Sequence, residues 1–113
     1  MLNIAVLVSG GGTNLQALID AEKAGKIENG KISVVVASKP GVYALERAKN
    51  AGIEGIVLAR SDYENVDAYS EALENLLKEK HTDLIVLAGF MTITNEKFTK
   101  AFENKIINVH PAL

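Results

Sequence analysis

The sequence contains no cysteine. That excludes disulfides, thiolate zinc sites and a cysteine nucleophile. It has no long run of like charge: Lys+Arg is 12 and Asp+Glu 14, for a net charge of -2. Such a balance argues against nucleic acid or an anionic membrane surface as the main partner. Any bound phosphate is then expected on backbone amides and one or two side chains. No apolar stretch approaches the roughly 18 residues a membrane span requires. The opening Met-Leu-Asn-Ile lacks the basic region of a secretory leader. No membrane partner is expected, and the cytoplasm is the expected location. Repeats, low-complexity tracts and Pro/Ser-rich linkers are missing too. The 113 residues are therefore read as one domain, or part of one, with a core but little reserve.

What is present is alternation. Hydrophobic residues make up 48% of the chain, gathered in short β-branched runs separated by helical patterns. Strands are expected at residues 4–8, 32–37, 56–58, 84–88 and 106–109. The apolar run of the second, interrupted only by Ser33, implies burial on both faces. A first helix starts at about Asn14 and ends near Gly25. A second carries Leu45, Ala48 and Ala51, with Gly52 as its C′ residue. The third has Tyr69, Ala72, Leu73, Leu76 and Leu77 on one face, and Lys78 and Lys80 near its negative end. A short fourth places Phe98, Ala101 and Phe102 together. This spacing predicts a Rossmann-like α/β three-layer sandwich, a parallel sheet of about five strands in the order 3-2-1-4-5. Ligands then bind beyond the carboxyl ends of the strands, between the first and fourth. Residues 10–14, residues 89–94 and the pair Asn108/His110 all fall on that edge.

The turn "SGGGTN" has three adjacent glycines leading into a helix. Lacking Cβ atoms, they let the backbone approach a ligand closely, and the helix dipole favours an anion there. Thr13 can add a hydroxyl, and Asn14 can cap the helix or donate an amide. The loop is no Walker loop, since no Gly-Lys-Ser/Thr follows. Nor is it a complete dinucleotide fingerprint: Leu15 holds the third glycine's position, and the second strand ends in Ser38-Lys39 without an acid. An NADP-type site with Lys39 facing a 2′-phosphate stays open, as does a tight turn that binds nothing.

Asn108 and His110 are two apart on a strand and share a face, with Pro111 ending the ladder. An amide and an imidazole at a ligand edge suit acyl-type chemistry: the amide donates to a developing oxyanion, and the imidazole shuttles a proton. A merely polar strand end is the competing reading. His81 is expected to cap the third helix in solvent. With no metal-ligand spacing around it, no metal site is expected. Glu46-Arg47, Lys97 and Lys100 read as solvated helix faces. Asp83 reads as the entry to the fourth strand, away from the ligands.

Taken together, Ser9 to Ala17 ("SGGGTNLQA"), "LAGFM" at 87–91 and "INVHPAL" at 107–113 resemble phosphoribosylglycinamide formyltransferase (glycinamide ribonucleotide transformylase). The Asn-x-His-Pro element is shared with other formyltetrahydrofolate enzymes, whereas the glycine loop is more particular to this family. The resemblance implies formyl transfer from 10-formyltetrahydrofolate to the amine of 5′-phosphoribosylglycinamide in purine biosynthesis. It implies a phosphate site at Gly11, Gly12, Thr13 and Asn14, and folate lining by Phe90, Met91, Thr92, Ile93, Thr94 and Asn108. Asn108 would polarise the formyl oxygen and His110 would act as general acid/base. The alternatives are an NADP-binding Rossmann-type domain and a non-catalytic phosphate-binding module.

Thr92 stands where many members carry Arg, and Val66 where some place a basic residue. The family continues past His-Pro-x-Leu to an Asp that pairs with the His. The chain is therefore expected to be the N-terminal nucleotide-binding portion, 1–113, truncated relative to the family and inactive or nearly so alone. Self-association through the exposed fifth strand is expected with it.

Overall fold

The computed structural model describes residues 1–109. His110, assigned as the acid/base above, lies outside the described residues with Pro111, Ala112 and Leu113.

Five strands alternate with helices. They are β1 (Leu2–Val8), α1 (Thr13–Lys23), β2 (Gly30–Ala37), α2 (Tyr43–Asn50), β3 (Glu54–Val57), α3 (Val66–Glu79), β4 (Leu84–Ala88), α4 (Glu96–Ala101) and β5 (Ile106–Val109), with one 3₁₀ turn at Arg60–Asp62 before α3. Every strand pairing is parallel, and the sheet order is β3-β2-β1-β4-β5. Order and layering match the expectation. The order reverses between β1 and β4, which opens a crevice at their carboxyl ends.

Strand alternation divides the core into two halves. Val6 and Val8 of β1, with Val35 and Ala37 of β2, face Leu15 and Ile19 of α1 and Ala44 and Ala48 of α2. Ala5 and Leu7, with Val34 and Val36, face Tyr69, Leu73 and Leu77 of α3 and Phe98 of α4. Central strands buried on both faces need apolar residues at every position. This accounts for the apolar residues 4–8 of β1 and 34–37 of β2.

Local chemistry sets most boundaries. Asn65 caps α3 by accepting from the Ala68 N–H at 2.8 Å, and Asn95 caps α4 by accepting from the Phe98 N–H at 2.9 Å. Gly52 adopts φ 74 after α2, and the Ile53 N–H returns to the Ala48 carbonyl, as a C′ glycine should. At the far end of the sheet, Asp83 accepts from the Asn3 N–H at 2.8 Å, a structural clasp away from the crevice. His81 is exposed with φ 55; its backbone N–H, not its imidazole, closes α3 on the Lys78 carbonyl.

Some expectations fail. β1 and β2 each begin two residues earlier than the apolar runs. β3 lies at Glu54–Val57, shifted from 56–58, since edge pairing to β2 sets it. Ala101 is exposed, although Phe98 and Phe102 on either side are buried. Asn14 does not cap α1: the cap is Gly12, at φ 81 and ψ 34, with no side-chain hydrogen bond.

Candidate functional site

The glycine loop sits at the crevice as α1 begins. Because the first intrahelical bond is from the Gln16 N–H to the Gly12 carbonyl, the N–H groups of Thr13, Asn14 and Leu15 have no partner within the helix. No side chain caps them. Gly10, Gly11, Gly12, Thr13 and Asn14 line a cavity of about 290 Å³ with Ala88, Gly89 and Met91. A positive helix end with uncapped amides and a mouth open to solvent suits an anion. The structure thus brings together all four residues read as phosphate ligands.

Only Gly12 of the three glycines is required by the backbone itself. Its φ of 81 is left-handed, and a Cβ there would lie 2.8 Å from the Ala44 Cβ; Gly10 and Gly11 have open space around them. α2 therefore packs directly on the loop. Arg47 of α2 completes that contact, and its reading as a solvated side chain is corrected. Its Nε donates to the Gly11 carbonyl at 2.9 Å and its Nη1 to the Gln16 Oε1 at 3.1 Å. The guanidinium also lies over the Tyr43 ring, 4.8 Å from its centroid. In sequence Arg47 resembles any charged helical residue; its partner is 36 positions away.

The segment after β4 occupies the other side of the crevice. Met91, Thr92 and Ile93 line a second cavity, of about 490 Å³, with Ser38, Lys39, Arg60, Ser61 and Val66. Met91 and Ile93 are 82% and 73% exposed, so large apolar side chains face solvent on a cavity wall, as at a ligand surface. Phe90 instead turns into the core beside α3 and α4. Thr94 is half-buried, one residue before the α4 cap. Asn108 is exposed on β5, in register with Leu87, and lines neither cavity.

Two serines that sequence reading left without a role join the crevice walls. Ser9 and Ser38 follow β1 and β2 and are 6% and 2% exposed. Their hydroxyls meet at 2.8 Å, and the Met91 N–H donates to the Ser9 Oγ at 2.9 Å. The ends of β1 and β2 and the segment after β4 are tied at one point, where Ser38 and Met91 line the second cavity and Met91 the first. A serine after each of two adjacent strands was the available signal.

Among the described residues, no group of three or more His, Cys, Asp or Glu side chains could hold a metal ion. No helix there is long and apolar enough to cross a membrane.

A parallel sheet in the order β3-β2-β1-β4-β5 with a glycine-rich loop at its switch point defines a Rossmann-like α/β fold. Residues 2–113 match the formyl transferase family, and the chain belongs to it. Phosphoribosylglycinamide formyltransferase of Haemophilus influenzae is 46% identical over 113 residues, covering 100% of this chain and 53% of that protein. The Escherichia coli protein of the same name is 40% identical over 112 residues, covering 99% and 52%. The crystal structure of glycinamide ribonucleotide transformylase 1 from Symbiobacterium toebii superposes with a TM-score of 0.92 at 39% identity, covering 100% of this chain and 53% of that one. The chain spans about half the length of these relatives.

Proposed function

We propose that this chain serves formyl transfer from 10-formyltetrahydrofolate to the amine of 5′-phosphoribosylglycinamide, a step of purine biosynthesis in the cytoplasm. Residues 1–113 act as its nucleotide-binding domain. The observation that carries the reading is the uncapped amino end of α1 behind a glycine mouth, in a member of the formyl transferase family. Gly11, Gly12, Thr13 and Asn14 hold the ribonucleotide phosphate through backbone amides and the Thr13 hydroxyl.

The second cavity takes the folate, with Met91, Thr92 and Ile93 on its wall and Phe90 and Thr94 supporting them. Its chemistry fits that co-substrate: apolar Val66, Met91 and Ile93 suit a flat ring system. Lys39 and Arg60 on the same lining suit carboxylates at the far end. The amine attacks the formyl carbon, a tetrahedral intermediate forms, Asn108 donates to its oxygen, and His110 moves the proton. No metal takes part. Lys39 shares its cavity with Met91 and lies outside the glycine mouth, and no relative named above is a dinucleotide enzyme, so the NADP alternative is the weaker one.

Calorimetric titration of the chain tests this. Binding of 5′-phosphoribosylglycinamide, competed by inorganic phosphate, with no response to NADPH, is the expected result. Binding of NADPH in its place would reverse the choice. Where the chain is assayed with the remaining half of a family member, His110→Ala or Asn108→Ala should lower turnover and spare ribonucleotide binding.

A further inference from the structure

We propose that Arg47 is a positioning residue for anion binding: it holds the Gly11 carbonyl on the outer side of the loop and so turns the Gly12 N–H into the mouth. The inference rests on the phosphate reading above and adds to it a residue outside the binding loop.

In a planar trans peptide unit, the carbonyl of one residue and the N–H of the next point in opposite directions. The Gly11 carbonyl accepts from Arg47 Nε at 2.9 Å. Gly11 and Gly12 line the mouth, whereas Arg47 does not. With the carbonyl drawn toward Arg47, the Gly12 N–H is directed away from it, toward the mouth. A glycine loop left to itself has no such preference, because residues without Cβ populate both senses of the peptide plane readily. A flipped unit would present a carbonyl oxygen to the anion and repel it.

Two further contacts hold the guanidinium itself. It donates to the Gln16 Oε1 at 3.1 Å, and the Gln16 amide in turn donates to the Asp20 Oδ1 at 2.9 Å. The Tyr43 ring lies beneath it. A planar fork that reaches two acceptors at fixed angles is specific to arginine. The charge-assisted bond to the carbonyl is of the strong kind, and the cation behind the loop adds to the field that attracts an anion.

The test uses the ¹⁵N-labelled 113-residue chain titrated with inorganic phosphate, with 10-formyltetrahydrofolate binding as the control. Arg47→Met keeps an unbranched apolar stem and removes every donor. It should bind phosphate about tenfold more weakly and displace the Gly12 amide resonance in the free protein, with folate affinity within about twofold of wild type. Arg47→Lys restores one donor without the fork, and about threefold weakening is expected; it also carries the test should Arg47→Met fail to fold. Unchanged phosphate affinity and an unmoved Gly12 resonance in either folded variant would overturn the role of Arg47 alone. A wild-type chain that binds folate but not phosphate would overturn the phosphate reading and this proposal with it.

Discussion

Replacing Gly12 with alanine isolates what the loop requires of its backbone. At φ 81 a residue with a Cβ costs about 1–2 kcal/mol relative to glycine. The new methyl would stand 2.8 Å from the Ala44 Cβ and 3.1 Å from its Cα. Alanine has no rotamer to yield, so α2 or the loop must shift, an overpacking cost of about 1–3 kcal/mol. The sum, about 2–5 kcal/mol, is a large part of the roughly 5–15 kcal/mol that holds a typical domain. With a urea m-value of about 1–3 kcal/mol/M for a small protein, the unfolding midpoint should fall by on the order of 1–3 M. Gly11→Ala is the internal control. No atom lies within 4 Å of its Cβ position and its φ is not positive. That variant should keep the wild-type midpoint or gain slightly from a stiffer unfolded chain. Urea denaturation followed by circular dichroism reads both. Equal losses in the two variants, or none in Gly12→Ala, would refute the placement of α2 against the loop.

Ser9→Ala leaves the Met91 N–H and the buried Ser38 hydroxyl without their partner, and should cost about 1–3 kcal/mol. A Ser9→Ala/Ser38→Ala double variant that loses less than the two single losses added together would confirm the coupling. The Tyr69 hydroxyl, held on the Leu58 carbonyl at 2.8 Å, has its pKa pushed up from 10.0 to about 12, by burial first and by Tyr63 second, with Arg60 opposing. The folded state therefore keeps a proton that the unfolded chain has lost. That stability is fully present below pH 10 and disappears as pH rises toward about 12. Alkaline unfolding curves should show this slope, and Tyr69→Phe should remove it. β5 has β4 on one side only among the described residues, and Ile107 is half exposed. Light scattering of the 113-residue chain should therefore show association that rises with concentration; a monodisperse monomer with protected β5 amides would count against it.

Much of the fold was legible because its determinants are local and periodic. Apolar runs such as residues 4–8 and 34–37, bounded by turn and helical patterns, suit strands buried on both faces of a parallel sheet covered on each side. Parallel strands then require the intervening helices. The handedness of those crossovers leaves few orders to choose from. The glycine loop was legible for the same reason, since three residues without Cβ before a helix constrain their own surroundings. Strand edges were less so: β3 takes its bounds from the strand it pairs with, not from its own composition. The asparagine cap of α4, whose own backbone N–H donates to the Ser70 Oγ at 2.9 Å, depends on α3 being beside it.

The sequence by itself thus determined the parallel sheet, its order, and a glycine-rich loop at its switch point, because periodicity and glycine content act within a few residues of themselves. Only the tertiary structure decided which glycine is obligatory, that Ser9 and Ser38 meet and hold the Met91 backbone, and that Arg47 donates to the loop. Each of these depends on a contact between residues about 30 or more positions apart. A short-range pattern carries no record of a partner that the fold, and nothing nearer, brings within hydrogen-bonding distance.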